Sequence, residues 1–84
     1  MWVDPGKQKI VGKVLSEFRK RAGLLQQDVA DRLDKPQSFV SAYEAGQRRV
    51  DVLELLRIAE AIGADPHEIF REIVLRGEGP PNRL

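Results

Sequence analysis

The 84-residue chain has no cysteine, one histidine and one tryptophan. Without cysteine there are no disulfides, no thiolate metal sites and no cysteine nucleophile. His67, the lone histidine, lacks the Cys or His neighbours of a zinc site and reads as an exposed residue in the first turn of a helix. Asp65 and Glu68 beside it are accounted for by that helix start. Ser38 and Ser41 have no histidine base near them in sequence, and no glycine-rich phosphate loop is present. Neither catalysis nor a metal or cofactor is expected. No apolar run approaches the ~20 residues of a membrane span, and the Met-Trp-Val start lacks a signal peptide's apolar core. The expectation is a cytoplasmic protein with no membrane partner.

Strand-period alternation and internal repeats are missing as well. What is present is helical spacing broken by glycine and proline. The segment 26–46, QQDVADRLDKPQSFVSAYEAG, reads as two short helices joined by a tight turn. Val29, Ala30 and Leu33 share one face of the first. Asp34-Lys35-Pro36 ends it, because proline lacks an N–H and the residue before it avoids helical angles. In the second helix Val40 and Tyr43 face inward, Gln37, Ser38, Ser41 and Ala42 face the other way, and Gly46 supplies a left-handed cap. Two such helices cannot bury their own apolar faces, so other helices must pack behind them.

Those helices are legible. Ile10, Val14, Leu15, Phe18 and Ala22 form one stripe, closed by Gly23, with Gly12 an internal weak point. Asp51 with Glu54 three residues later is a capping-box start, followed by a stripe of Val52, Leu55, Leu56, Ala59 and Ile62. Asp65-Pro66 starts a fifth helix carrying Ile69, Phe70, Ile73 and Val74. The fold class expected is all-α: five helices at about 7–22, 26–33, 36–45, 52–62 and 66–75, forming one domain over 1–76 with no sheet. Residues 77–84 have breaker composition and read as a flexible tail. Trp2 and Val3 are apolar at a terminus, where packing on the core or on a second subunit would explain them.

The residues from about 10 to 70 resemble the helix-turn-helix of the Cro and phage-repressor, or xenobiotic-response-element, family. The likeness is carried by Arg19 in FRKRAGL, Gln26, Val29-Ala30, Leu33, Gln37-Ser38, Val40-Ser41, Glu44, Gly46 and the run RRVDVLELLRIAEAIGADP. Leu25 and Pro36 stand where the family usually has Ser or Thr caps, and Asp34 where it often has glycine. Asp tolerates left-handed angles better than most residues, so the turn is retained. The resemblance implies a lambda-repressor-like bundle that binds double-stranded DNA. It implies that Arg19 and Glu44 form the family's structural ion pair. It makes the 36–45 helix the reader, with Gln37, Ser38, Phe39, Ser41 and Ala42 toward base edges. It makes Gln26, Gln27, Lys35, Gln47, Arg48 and Arg49 contacts to phosphate. A glutamine amide matches adenine N6 and N7. Phe39 has two readings, a thymine methyl contact or packing against the preceding helix.

Net charge is +1, but unevenly spread: residues 1–50 hold ten Lys/Arg against six Asp/Glu, and residues 51–84 hold four against seven. The basic half contains the helix-turn-helix, as a polyanion footprint would. The function expected is a sequence-specific transcriptional regulator, a repressor, acting as a homodimer on a two-fold-symmetric operator. The alternatives are a protein-interaction module and an antitoxin-type regulator with a toxin partner.

Overall fold

The computed structural model describes residues 5–77. The expectations for Trp2, Val3 and the tail beyond Gly77 lie outside the described residues. Within them five helices follow one another: α1 (Pro5–Arg21), α2 (Gln26–Leu33), α3 (Gln37–Glu44), α4 (Val52–Ile62) and α5 (Pro66–Gly77). There is no strand among the described residues, and no helix is long and apolar enough to cross a membrane.

Local chemistry sets the helix ends. Leu25 cannot cap α2 with its own side chain, so the Asp28 carboxylate reaches back and accepts the Leu25 N–H at 2.8 Å. Asp34 closes α2 in the left-handed region, φ 57°, where it alone sits among the described non-glycine residues. Pro36 lies just outside α3 with extended angles, φ −69° and ψ 156°, so the turn changes direction before α3 begins at Gln37. Asp51 and Glu54 make the expected reciprocal cap: Asp51 Oδ1 accepts the Glu54 N–H at 2.7 Å, and Glu54 Oε1 accepts the Asp51 N–H at 3.0 Å.

α2 packs on α3 and α4, and α1 packs on α3 and α5. The shared core comprises Val14 and Leu15 of α1, Val29, Ala30 and Leu33 of α2, Val40 and Tyr43 of α3, Ile58, Ala59, Ala61 and Ile62 of α4, and Ile69 of α5. Burial of each large side chain here contributes about 1.5–3 kcal/mol. The α4 stripe differs from the sequence reading. Val52 and Leu56 are 73% and 47% exposed, and the inward line is Leu55, Ile58, Ala59 and Ile62. Val52 belongs to the first turn of α4, and Leu56 is one residue, about 100° of helix, past inward Leu55. Ala22 is likewise exposed, lying past the end of α1.

Polar clamps hold the periphery. Arg76 of α5 grips Glu17 of α1 through two bonds, 2.6 and 3.0 Å, and also binds Glu72 at 3.0 Å. Lys7 donates to the Gly77 carbonyl. Arg32 of α2 donates to the Ala61 carbonyl at 2.7 Å, satisfying an acceptor in the last turn of α4.

Gly12, a weak point by helix propensity, is where α1 touches the end of α3. A Cβ there would stand 2.2 Å from the Tyr43 carbonyl oxygen and 2.5 Å from that of Glu44. Propensity and packing therefore make opposite predictions for Gly12→Ala. Propensity alone gives a gain of about 1 kcal/mol. The backbone clash gives a loss of about 1–3 kcal/mol, and urea denaturation is expected to report that loss.

Candidate nucleic-acid interface

The outward side of α2 and α3 is organised from inside out, beginning with a charge pair. Arg19 of α1 and Glu44 of α3 have side chains only 8% and 6% exposed. Arg19 Nε donates to Glu44 Oε2 at 2.7 Å, and a terminal nitrogen donates to Oε1 at 3.1 Å. Its other terminal nitrogen donates to the Leu24 carbonyl at 2.7 Å, in the loop before α2. The carboxylate beside it holds the guanidinium ionisation above its usual range, against the opposing effect of burial.

The pair is extended to the surface by two glutamines. Gln26 Nε2 donates to Glu44 Oε1 at 2.9 Å. Gln37 Nε2, in the first turn of α3, donates to Gln26 Oε1 at 2.7 Å. A continuous chain thus runs from a buried guanidinium on α1 to an exposed amide at the tip of α3. Gln37, Ser38 and Ser41 are exposed on the outward face of α3, and Ala42 is half-buried. Gln27 is exposed and donates to Asp31 within α2 at 2.7 Å.

Phe39 is half-buried, its ring edge-to-face against Tyr43 with centroids 5.6 Å apart. Two cations lie over it: the Lys35 amine at 5.5 Å from the centroid and the Arg48 guanidinium at 4.5 Å. The ring contacts observed are with Tyr43 of its own helix and with these two cations.

The loop after α3 separates its basic residues. Gln47 is exposed, and its backbone N–H donates to the Ala42 carbonyl at 2.9 Å. Arg49 is exposed and makes no ion pair among the described residues. Arg48 donates to both oxygens of Glu54 at 3.0 and 2.7 Å and to the Arg49 carbonyl at 2.7 Å. The Arg48 fork, with the Asp51 backbone N–H, holds the Glu54 carboxyl down at about 2. Sequence reading missed Glu54 as a partner for Arg48. The capping-box signal put Glu54 at the start of α4, but no periodicity relates it to a loop arginine six residues earlier. It also missed Gln8 of α1, which donates to the Gly46 carbonyl at 3.3 Å and steadies the same loop.

Three tight-fitting features therefore meet in one motif: a left-handed turn at Asp34, an outward polar face on α3, and a buried pair beneath it. A family model described as helix-turn-helix matches residues 15–69. The chain belongs to the helix-turn-helix family of DNA-binding transcription regulators, of the XRE/Cro type. A helix-turn-helix relative from Sinorhizobium fredii, the uncharacterized HTH-type transcriptional regulator y4dJ, is 32% identical over 62 residues, covering 74% of this chain and 80% of the relative. The solved structure of an XRE-family like protein from Pseudomonas syringae pv. tomato is 34% identical, with a TM-score of 0.75, covering 87% of this chain and 89% of that one. The restriction-modification controller protein C.AhdI from Aeromonas hydrophila is 32% identical with a TM-score of 0.71, covering 77% of this chain and 98% of its own.

The Arg19–Glu44 pair should behave as one unit. Removing either partner strands a buried charge, at a cost of about 3–5 kcal/mol. Arg19→Ala and Glu44→Ala are each expected to lower the melting temperature, and a double-mutant cycle to be strongly non-additive. Additive losses would remove the pair as the support of α3.

Proposed function

We propose that this helix-turn-helix protein is a sequence-specific regulator in the cytoplasm, binding a two-fold-symmetric operator as a homodimer and repressing by occupancy. The observation that carries the reading is the Gln37 amide, exposed at the start of α3 yet fixed by Gln26. The first turn of a recognition helix is the part that meets base edges in the major groove. Gln37 Nε2 gives one hydrogen to Gln26, leaving the other for adenine N7 while Oε1 accepts from N6. Ser38, Ser41 and Ala42 complete the base-facing surface, with Phe39 supporting it. Gln26, whose Nε2 gives one hydrogen to Glu44, has the other for a phosphate at the start of α2. Gln27, Lys35, Gln47 and Arg49 flank α3 and meet the strands on either side, and Arg48 stands beside them with its fork on Glu54.

The two classes of contact fail differently. Gln37→Ala is expected to flatten base preference at one or two positions per half-site and leave non-specific affinity nearly intact. Arg49→Ala is expected to weaken matched and scrambled duplexes together. It should make the log–log salt slope shallower by about one unit per subunit. Titrations of duplexes chosen from a random pool, at several salt concentrations, read both effects. Unchanged base preference in Gln37→Ala removes α3 from the reading role. Absence of duplex binding by the wild type even at low salt would favour a protein-interaction module.

Arithmetic and surface both support dimerisation. One α3 reads a few base pairs at about 1–3 kcal/mol each, too little to find one site among a genome's competitors. Val52, Leu53 and Leu56 of α4 and Phe70, Val74 and Leu75 of α5 are large, apolar and 41–73% exposed. Covering this patch with the same patch of a second copy gives a closed two-fold pair. Sedimentation at micromolar concentration is expected to report a dimer, and Leu53→Glu with Phe70→Glu a monomer. A wild-type monomer, with and without duplex, would refute the symmetric arrangement.

A further inference from the structure

Beside the first turn of α3 the structure assembles cations that do not face open solvent alone. Lys35, from the α2–α3 turn, and Arg48, from the α3–α4 loop, both stand over the Phe39 ring. The Glu54 carboxylate takes the Arg48 fork with both oxygens, at 3.0 and 2.7 Å. Lys35, Phe39 and Glu54 line one small cleft, closed below by Leu33 and Ile58. Of the two cations at the flank of the reading helix, Arg48 is the one that this carboxylate answers.

We propose that Glu54 is a built-in competitor of DNA phosphate: by occupying the bidentate face of Arg48 beside α3, it limits the sequence-independent affinity of the interface. This rests on the DNA-binding reading above and assigns one residue a task within it.

The physical argument is exchange. A carboxylate offers the guanidinium fork the same planar, two-oxygen partner that a phosphate does. For Arg48 to hold a phosphate, either Glu54 releases the fork or a second anion approaches the first. Both routes cost most of what the new contact gains. A cation already neutralised within the protein also contributes little to counterion release, the term that dominates non-specific binding. Arg49, exposed and outside any ion pair among the described residues, has no such competitor. Phosphate contacts carry no sequence information, so restraint at Arg48 lowers binding to all sequences alike and leaves recognition to α3. Glu54 is suited to this because it is fixed independently: its second task, accepting the Asp51 N–H at 3.0 Å, holds it in the first turn of α4.

Glu54→Gln separates the two tasks, since glutamine serves a capping box as glutamate does but leaves Arg48 uncompensated. The probe is a scrambled duplex, with a duplex selected from a random pool beside it, titrated across a salt series. Glu54→Gln should bind the scrambled duplex more tightly, with a log–log salt slope steeper by about 0.9 unit per subunit. Between 50 and 200 mM salt that is roughly a 3.5-fold larger loss of affinity per subunit. The added slope should vanish in Glu54→Gln with Arg48→Ala. Arg48→Ala alone, which leaves the wild-type carboxylate in place, should shift the slope by no more than a few tenths. A purely structural role for Glu54 predicts a lower melting temperature and an unchanged slope, which would overturn the proposal. So would a full-unit loss of slope in Arg48→Ala alone, or a steeper slope that persists without Arg48. Absence of duplex binding by the wild type overturns the DNA reading itself, and is distinct from normal wild-type binding with an unresponsive Glu54→Gln.

Discussion

The Arg19–Glu44 pair is the constraint from which the interface is built. Two charges taken out of water are costly, and their attraction recovers that cost only with near-ideal geometry and further hydrogen bonds. Both conditions are met: the fork is bidentate, the remaining guanidinium donor reaches the Leu24 carbonyl, and Glu44 accepts a further bond from Gln26. The pair therefore joins three elements at once, the end of α1, the loop entering α2, and the last residue of α3. Its hydrophobic frame is Val14, Leu15, Val40 and Tyr43, and Gly12 lets α1 come close enough for the reach. A burial-driven bundle would tolerate some rotation of α3 about its axis. A charge pair at one end of α3 and Gln37 hydrogen-bonded at the other tolerate much less.

Much of this was written in the spacing of a few residues. Val29, Ala30, Leu33, Val40 and Tyr43 declared the inner faces of α2 and α3, and all five are buried. Asp51 with Glu54, and Asp65 with Pro66, marked helix starts because capping chemistry is local and needs no knowledge of the rest of the chain. Features that depend on what packs where were not legible. The stripe of α4 was misread at Val52 and Leu56, since residues on the edge of a stripe are buried or exposed according to where neighbouring helices stop. Gly12 looked like a helix defect because its reason, a carbonyl on another helix, lies more than thirty residues away. Arg48 gave no sign of Glu54 as its partner, only six residues on, because the pairing is set by how the loop folds back on α4. The Gln37–Gln26–Glu44 chain is intermediate. Family resemblance named all three residues, but only the three-dimensional arrangement joins them in one line.

The surface divides its labour by charge and polarity. α2, α3 and the following loop carry amides, hydroxyls and cations, while α4 and α5 leave Val52, Leu53, Leu56, Phe70 and Val74 uncovered. The first set suits a polyanion whose bases are read through hydrogen bonds. The second suits an apolar partner surface, and a second copy provides one of identical chemistry. Within the polar set the cations are not equivalent. Arg49 is open, Arg48 is answered by Glu54, and Lys35 leans on Phe39. Net charge over the whole chain is +1, with the positive excess in residues 1–50, the half that carries these cations.

The most direct test of the central claim, that a fixed α3 reads bases through Gln37, is a crystal structure of the protein with a duplex selected from a random pool. The account predicts α3 in the major groove, the Gln37 amide on an adenine edge, and the Gln37–Gln26 and Gln26–Glu44 bonds intact in the complex. A complex with α3 outside the groove, or with Gln37 turned away from the bases and released from Gln26, would contradict it.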